Sequence, residues 1–476
     1  MDVKRFETDL QGTLVAQVMA SVHKQIASRQ LTPGARLPSI RAQAQNMGVS
    51  KSTIVDAYDR LVAEGTIQSR RGSGFFVAGP MPPFSLTPTS QGKDRQVDPV
   101  WMTRQSLDNG DHLLMPGCGW LPDDWMPQED LRRALRKLAR DGQADLTSYA
   151  SPHGSPALRQ LLARRLADHG IEVSASQLML TESGTQAIDL LCRYLVEPGD
   201  TVLVDDPCYF NFHAMLRAHR VKVVSVPYTS SGPDLVHFEE VLKAHAPRLY
   251  ITNSAIQNPT GATLSPVTAH RVLKLSDAYD LRIIEDDIFA DFEHEPAPRL
   301  AAFDGLNRVI QIGSFSKTLS ASIRCGFIAA RQDWIDEVID LKLATSFGGG
   351  AFSADLVLAM LKDGAYRRHV GGLRTRLADA MGKVGGQLKT LGIVPWIEPK
   401  AGMFLWCQLP DGLAAADVAR HALKDGLVLA PGDAFSVTQA AGSFMRFNVA
   451  QCLDRQIFAL LEAALEKSGR EDSGSI

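Results

Sequence analysis

The sequence predicts a small helical module with a β hairpin, followed by a large α/β body built on a mainly parallel sheet. Three observations carry this. Apolar residues recur at helical spacing in three stretches before residue 65, and two short strand-like runs follow them. Residues 78–99, AGPMPPFSLTPTSQGKDRQVDP, hold five prolines and almost no branched apolar residues, as an extended linker does. Beyond them, short apolar runs alternate with helical patterns, the signature of parallel strands covered by helices. The expected divisions are a module over residues 1–79, a linker over 80–110 and a body over 111–470.

The totals agree with a globular chain. Its 476 residues are 45% hydrophobic and 22% charged, enough for a large core without disulfide or metal staples. The net charge of -3 hides an asymmetry. Residues 1–79 hold ten Lys or Arg against six Asp or Glu, about +4, which leaves about -7 for the rest. A basic segment on an acidic body suggests an anionic partner for that segment alone. The six cysteines are scattered, with no CxxC pair and no zinc-like His spacing, so free buried thiols and no metal are expected. The polar start MDVKRFETDLQG lacks a signal-peptide core, and no run of about 18 apolar residues occurs. A cytoplasmic protein with no membrane span is expected.

In the module, Leu14, Val18, Val22 and Ile26 mark one helix face. Ser39 caps a second helix that ends at Gly48, and Ser50 caps a third. The buried stripe of the third is Ile54, Tyr58, Leu61 and Val62, and Gly65 stops it. The runs TIQS and FFVAG then flank Arg70-Arg71-Gly72-Ser73-Gly74. Three helices and a β wing suit double-stranded DNA: the start of the third helix enters the major groove, and the wing reaches phosphate or the minor groove. The expected contacts are Ser50, Lys51, Ser52 and Thr53 on the third helix, Ser39 and Arg41 at the second, and Arg70 and Arg71 on the wing. Singly, such residues are more often solvated surface; the ordered set is what points to DNA.

In the body the runs QLMLT, TVLVD, VKVVSV, RLYIT, RIIED and RVIQIG read as strands, and Gln186 to Leu195 and Val267 to Tyr279 as helices. Ligands in such sheets bind at the carboxyl ends of strands. The residues there supply what a pyridoxal 5'-phosphate site needs. Lys317, in GSFSKT, would bond the aldehyde, with Ser314, Ser316 and Arg324 for the phosphate. Asp286, preferred over Asp287, would hold the ring nitrogen. Asn258 in NPTG would meet the phenolic oxygen, and Tyr209 in DPCY would stack on the ring. Ser183, Gly184 and Thr185 open a helix whose N–H groups suit phosphate. Arg446, in MRFNVA, would bind a substrate carboxylate. Each alone has a blander reading as turn, core or surface ion pair; their joint order is the signal.

Two resemblances follow. The run LTPGARLPSIRAQAQNMGVSKSTIVDAYDRLVAEGTIQSRRGSGFFV resembles the GntR-family winged helix-turn-helix, with Gln43 where that family usually has Leu. The series SGTQ, DDPCY, NPTG, EDD, SFSKTLSASIR and MRFNVA resembles the class I/II aminotransferases of fold type I, from about Leu113 to Leu465. Together the chain resembles a MocR-type regulator. The resemblance implies a smaller α+β C-terminal region over about 360–470 and a homodimer, with the DNA-binding module packed on the partner's large domain and Tyr149 reaching the phosphate in the neighbouring subunit. Relatives usually carry EDDIY where this chain has EDDIF, so Phe289 sits at the cofactor without the hydroxyl that would meet the phenolic oxygen.

Three functions compete. The first is a transcription regulator that senses pyridoxal phosphate, an amino acid or an amine. The second is a working aminotransferase with an appended DNA-binding module. The third, a cofactor-binding scaffold with no DNA role, leaves the basic module unexplained.

Overall fold

The computed structural model describes residues 13–28, 30–32, 34–70, 73–78, 113–141 and 147–472. These fall in two compact units, divided at Arg95. Arg71, the segment 79–112 and the last four residues lie outside the described residues.

The first unit is built from α1 (Leu14–Ala27), α2 (Ile40–Met47) and α3 (Lys51–Ala63), then β1 (Ile67–Arg70) and β2 (Gly74–Val77). Its caps are the expected ones. Ser39 Oγ accepts from the Ala42 amide at 3.2 Å and Ser50 Oγ from the Thr53 amide at 3.1 Å. Each satisfies an N–H that the first helical turn leaves unpaired. Gly48 ends α2 in the left-handed conformation, φ 65°. Val18, Val22, Ile54, Tyr58 and Leu61 form the core. Leu14, expected on the buried face of α1, is exposed instead: it is the first residue of the helix, beyond the reach of α3. Gln43 is buried and donates to Met47 Sδ at 3.3 Å, so the polar substitution in α2 is met within the helix.

The body holds an eight-stranded sheet. Its strands are β3 (Leu178–Thr181), β4 (Thr201–Asp206), β5 (Lys222–Thr229), β6 (Gly232–Pro233), β7 (Leu249–Thr252), β8 (Arg282–Asp286), β9 (Val309–Ser314) and β10 (Gly326–Ala329). Their spatial order is β3-β10-β9-β8-β7-β4-β5-β6. Every residue of β3 and β7 is buried, as in a sheet covered on both faces. The pairs from β9 through β5 are parallel, while β10 runs antiparallel between β3 and β9. β4 lies between β7 and β5, so the strand order reverses there and opens a crevice at the carboxyl ends.

A second sheet, β11 (Val394–Pro395), β12 (Phe404–Gln408), β13 (Ala430–Pro431) and β14 (Phe444–Asn448), has the order β11-β12-β14-β13. It packs with the helices Ala365–Thr390, Ala415–Lys424 and Arg455–Asp472. That last helix continues past Ser468 to Asp472. The segment from residue 113 also joins this region: the Leu114 and Gly117 amides donate to the carbonyls of Gly426 and Val428 at 3.0 and 2.9 Å. Among the described residues no helix is long and apolar enough to cross a membrane.

Just past β8 lies a buried ion-pair triad. Arg299 Nε donates to Asp287 Oδ2 at 2.7 Å and its Nη2 to Glu293 Oε2 at 2.6 Å, with Gln311 Nε2 on Asp287 at 2.7 Å. Removing the cation strands two carboxylates in a low-dielectric interior. Arg299→Met is therefore expected to destabilise the body by about 3–5 kcal/mol in denaturant unfolding; a loss within error of zero would show that solvent reaches the triad.

Candidate functional site

The carboxyl ends of the strands bring most of the expected residues together. Lys317 follows β9. The residue as a whole is half-buried, but its Nζ turns inward and donates to the Gly119 carbonyl at 2.7 Å. Burial and the nearby Arg446 charge push its amine down to about 8, while Asp286 opposes the fall. Asp286 closes β8. It is buried, accepts from the Ile288 amide at 3.2 Å, and burial raises its carboxyl to about 7. Asp287 is consumed by Arg299 and Gln311, so Asp286 is the carboxylate left for a ligand.

Arg446 lies at the centre of β14, paired with Trp406 and Ala430. It is fully buried, and desolvation lowers its guanidinium to about 10. Its Nη1 donates to Asn258 Oδ1 at 2.9 Å and its Nη2 to the Gly117 carbonyl at 2.7 Å. The faces of Phe404 and Phe435 lie 4.2 and 4.7 Å from its central carbon. Its Nε has no hydrogen-bond partner among the described residues, which is costly for a buried donor. Asn258 is thus held by its oxygen, leaving its Nδ2 as a donor. Tyr209, after β4, packs edge-on to Phe212 at 5.5 Å; burial raises its hydroxyl, which feels both Arg446 and Asp286.

Residues 115–120, MPGCGW, supply contacts that sequence reasoning did not single out. A Cβ on Gly117 would meet the Ala430 nitrogen at 2.6 Å, so only glycine admits the two backbones. A Cβ on Gly119 would stand 3.8 Å from both Arg446 Nη2 and Lys317 Nζ, so its absence keeps the space between the two cations clear. Asn448 Nδ2 fastens this segment, donating to the carbonyls of Cys118 and Trp120 at 3.0 and 2.7 Å.

Ser183 Oγ accepts from the Gln186 amide at 3.0 Å, capping the helix Gly184–Leu195. The amides of Gly184 and Thr185 are left pointing from its first turn. Ser314 Oγ donates to Ser316 Oγ at 3.0 Å. Arg324 is exposed, in the left-handed region at φ 52°, with Nη1 on the Ala321 carbonyl at 3.4 Å. Tyr149 is 82% exposed and edge-on to Phe347. Phe289 is a core residue, stacked on Phe292 and edge-on to Phe404 at 5.7 Å. It bears on the site through Phe404, which covers Arg446.

In the first unit, Ser39, Arg41, Lys51 and Ser52 are exposed and Thr53 half-buried, with Ser50 Oγ bonded to Ser52 Oγ at 2.7 Å. Arg70 lies over the Phe76 ring at 4.7 Å. Arg36, not singled out from sequence, bridges to Phe76 in β2 and brings a further guanidinium beside Gly74 on the wing. Arg71 lies outside the described residues.

A family model described as aminotransferase class I and II matches residues 121–463. The chain belongs to that family. A second model, for bacterial regulatory proteins of the gntR family, matches residues 14–77. The chain is 31% identical over 449 residues to the HTH-type transcriptional regulator YdcR of Escherichia coli strain K12, covering 91% of this chain and 94% of that one. It is 27% identical over 384 residues to the HTH-type transcriptional regulator NorG of Staphylococcus aureus strain USA300, covering 78% and 86%. Among solved structures, the α-aminoadipate aminotransferase LysN of Thermus thermophilus, complexed with N-(5'-phosphopyridoxyl)-L-leucine, superposes with a TM-score of 0.70 at 26% identity, covering 79% of this chain and 96% of that one. The class I and II body is thus a fold type I aminotransferase structure preceded by a GntR domain.

The electrostatics of this aminotransferase-family site give a pH prediction. A lysine with its folded pKa near 8 instead of 10.5 is neutral, and nucleophilic, above about pH 8. Between those values the unfolded chain holds a proton that the folded site has released, so this group makes the fold more stable as pH rises across that window. The rate at which an aldehyde condenses at Lys317 should rise through pH 8. In Arg446→Leu the opposing charge is gone and the midpoint should move alkaline; an unmoved midpoint would show that desolvation alone sets it.

Proposed function

We propose that the chain is a transcriptional regulator: its N-terminal unit binds double-stranded operator DNA, and its body holds pyridoxal phosphate and reads an amino acid or amine. The observation that carries this is the joining, in one chain, of a GntR domain to an aminotransferase body with Lys317, Asp286, Asn258 and Arg446 gathered at one crevice. The names of YdcR and NorG, both HTH-type transcriptional regulators, support the reading.

The residues fit the cofactor. Arg446 Nε is a buried donor without a partner, Asn258 keeps its Nδ2 donor, and Gly119 leaves clear space at the Lys317 amine. When bound, pyridoxal phosphate supplies an aldehyde that takes amines and a ring that draws electrons. Lys317 offers it a partly neutral amine. Asp286 is placed to hold a proton at the ring nitrogen. The amides of Gly184 and Thr185, with Ser183, Ser314, Ser316 and Arg324, form the phosphate end, and Tyr209 flanks the ring. The unpartnered edge of Arg446 suits a ligand carboxylate, which favours an amino acid over a plain amine.

The assembly is a cytoplasmic homodimer, in which the exposed Tyr149 serves the partner's phosphate. Lys51, Ser52 and Thr53 read base edges, while Ser39, Ser50, Arg41, Arg70 and Arg71 fix the register on the backbone. The same four body residues suffice chemically for transamination, so a half-reaction with amino acids is the second reading.

Fluorescence anisotropy on the DNA upstream of the chain's own gene tests the regulator. Affinity should change with pyridoxal phosphate in the wild type and not in Lys317→Ala. Arg70→Ala should weaken binding on all sequences and lower the salt slope by about one. Equal affinity for random DNA at every salt concentration would favour the enzyme instead.

A further inference from the structure

A groove of about 310 Å³ runs along the long helix Ala365–Thr390. Its floor is apolar, with Phe292, Leu377, Met381 and Leu405, and the helix face it uses is rich in glycine: Gly382, Gly385 and Gly386. The volume is that of a small-ligand site. None of its lining residues belongs to the cofactor site.

Its charge is one-sided. Arg374, Lys389 and Lys400 line it against a single acid, Glu398. Lys389 already pairs with Glu398 at 3.4 Å. Arg374 gives its Nε to the Asp291 carbonyl at 2.9 Å and, among the described residues, makes no ion pair. Lys400 makes none either. Two uncompensated cations thus border an apolar trough in which an anion would be screened from solvent on one side.

The glycines show that the trough has room beside the helix. Cβ atoms built on Gly382 and Gly386 meet nothing within 4 Å, although both sit in regular helix, where alanine or leucine is favoured by about 0.5–1 kcal/mol over glycine. A larger side chain at either position would extend into the groove without meeting the protein.

We propose that this groove is a second ligand site, for an organic anion with an apolar body and a carboxylate or sulfonate head. The body lies on Phe292, Leu377, Met381 and Leu405, and the head meets Arg374 and Lys400. This inference does not depend on the regulator reading.

The test uses the full chain loaded with pyridoxal phosphate, so that the Lys317 site is closed to the dye. 8-Anilinonaphthalene-1-sulfonate is titrated by fluorescence, beside N-phenyl-1-naphthylamine, which has the same apolar body without the sulfonate. The wild type should bind the sulfonate saturably and the neutral dye about tenfold more weakly. Gly382→Leu fills the trough from a position with room for its side chain. It should weaken sulfonate binding by about tenfold while the melting temperature holds or rises. Lys400→Ala should weaken it by about threefold. Sulfonate binding unchanged in a folded Gly382→Leu overturns the site, and equal binding of the two dyes overturns its preference for anions. Cofactor absorbance unchanged in Gly382→Leu separates this result from any fault in the Lys317 site.

Discussion

A guanidinium taken wholly out of water must be answered from several directions at once, and Arg446 organises the body for that reason. The isolated charge would cost several kcal/mol after relaxation. The answer comes from Asn258 beyond β7, the Gly117 carbonyl in the segment after residue 113, and the faces of Phe404 in the second sheet and Phe435 in the turn after β13. Three distant parts of the chain are thereby drawn to one point. The same charge then acts on its neighbour: it helps hold the Lys317 amine near 8. Structure and reactivity share a cause here, because the desolvation that makes Arg446 costly to bury also makes Lys317 less basic.

Much of this was legible in the sequence, and the readable part was local. Caps at Ser39 and Ser50, a glycine stop at Gly48 and the stripe Ile54, Tyr58, Leu61 report on neighbours a few residues away. So do the wholly apolar strands. The unread parts depend on distant contacts. β10, the short run GFIA, has no period of its own and takes its antiparallel place only from β3 and β9. Residues 115–120 were not singled out, because their role comes from Asn448, more than 300 positions later. Phe289 takes its stacking partner Phe292 from three residues away, but its edge-on partner Phe404 comes from the second sheet. The preference for Asp286 over its neighbour has its physical reason in Arg299, which takes Asp287.

The two units divide labour along chemical lines. The first is basic and presents Lys51, Ser52 and the wing guanidiniums on an otherwise ordinary helical core. The second buries Lys317, Asp286 and Arg446 at its crevice, gives the two cations backbone carbonyls, and leaves Arg446 Nε without a partner among the described residues. Such a body suits a small charged ligand of defined shape, and such a module suits a polyanion.

The central claim is that Lys317 is where the cofactor attaches, and covalent labelling tests it most directly. The chain is loaded with pyridoxal phosphate, reduced with borohydride, digested and analysed by peptide mass spectrometry. Lys342 is a built-in control: it too is buried with a lowered pKa, but its amine is tied to the carbonyls of Pro152 and Leu180 at 2.9 Å each. The account predicts one modified peptide, carrying Lys317. Modification at Lys342 instead, or at no lysine, would contradict it.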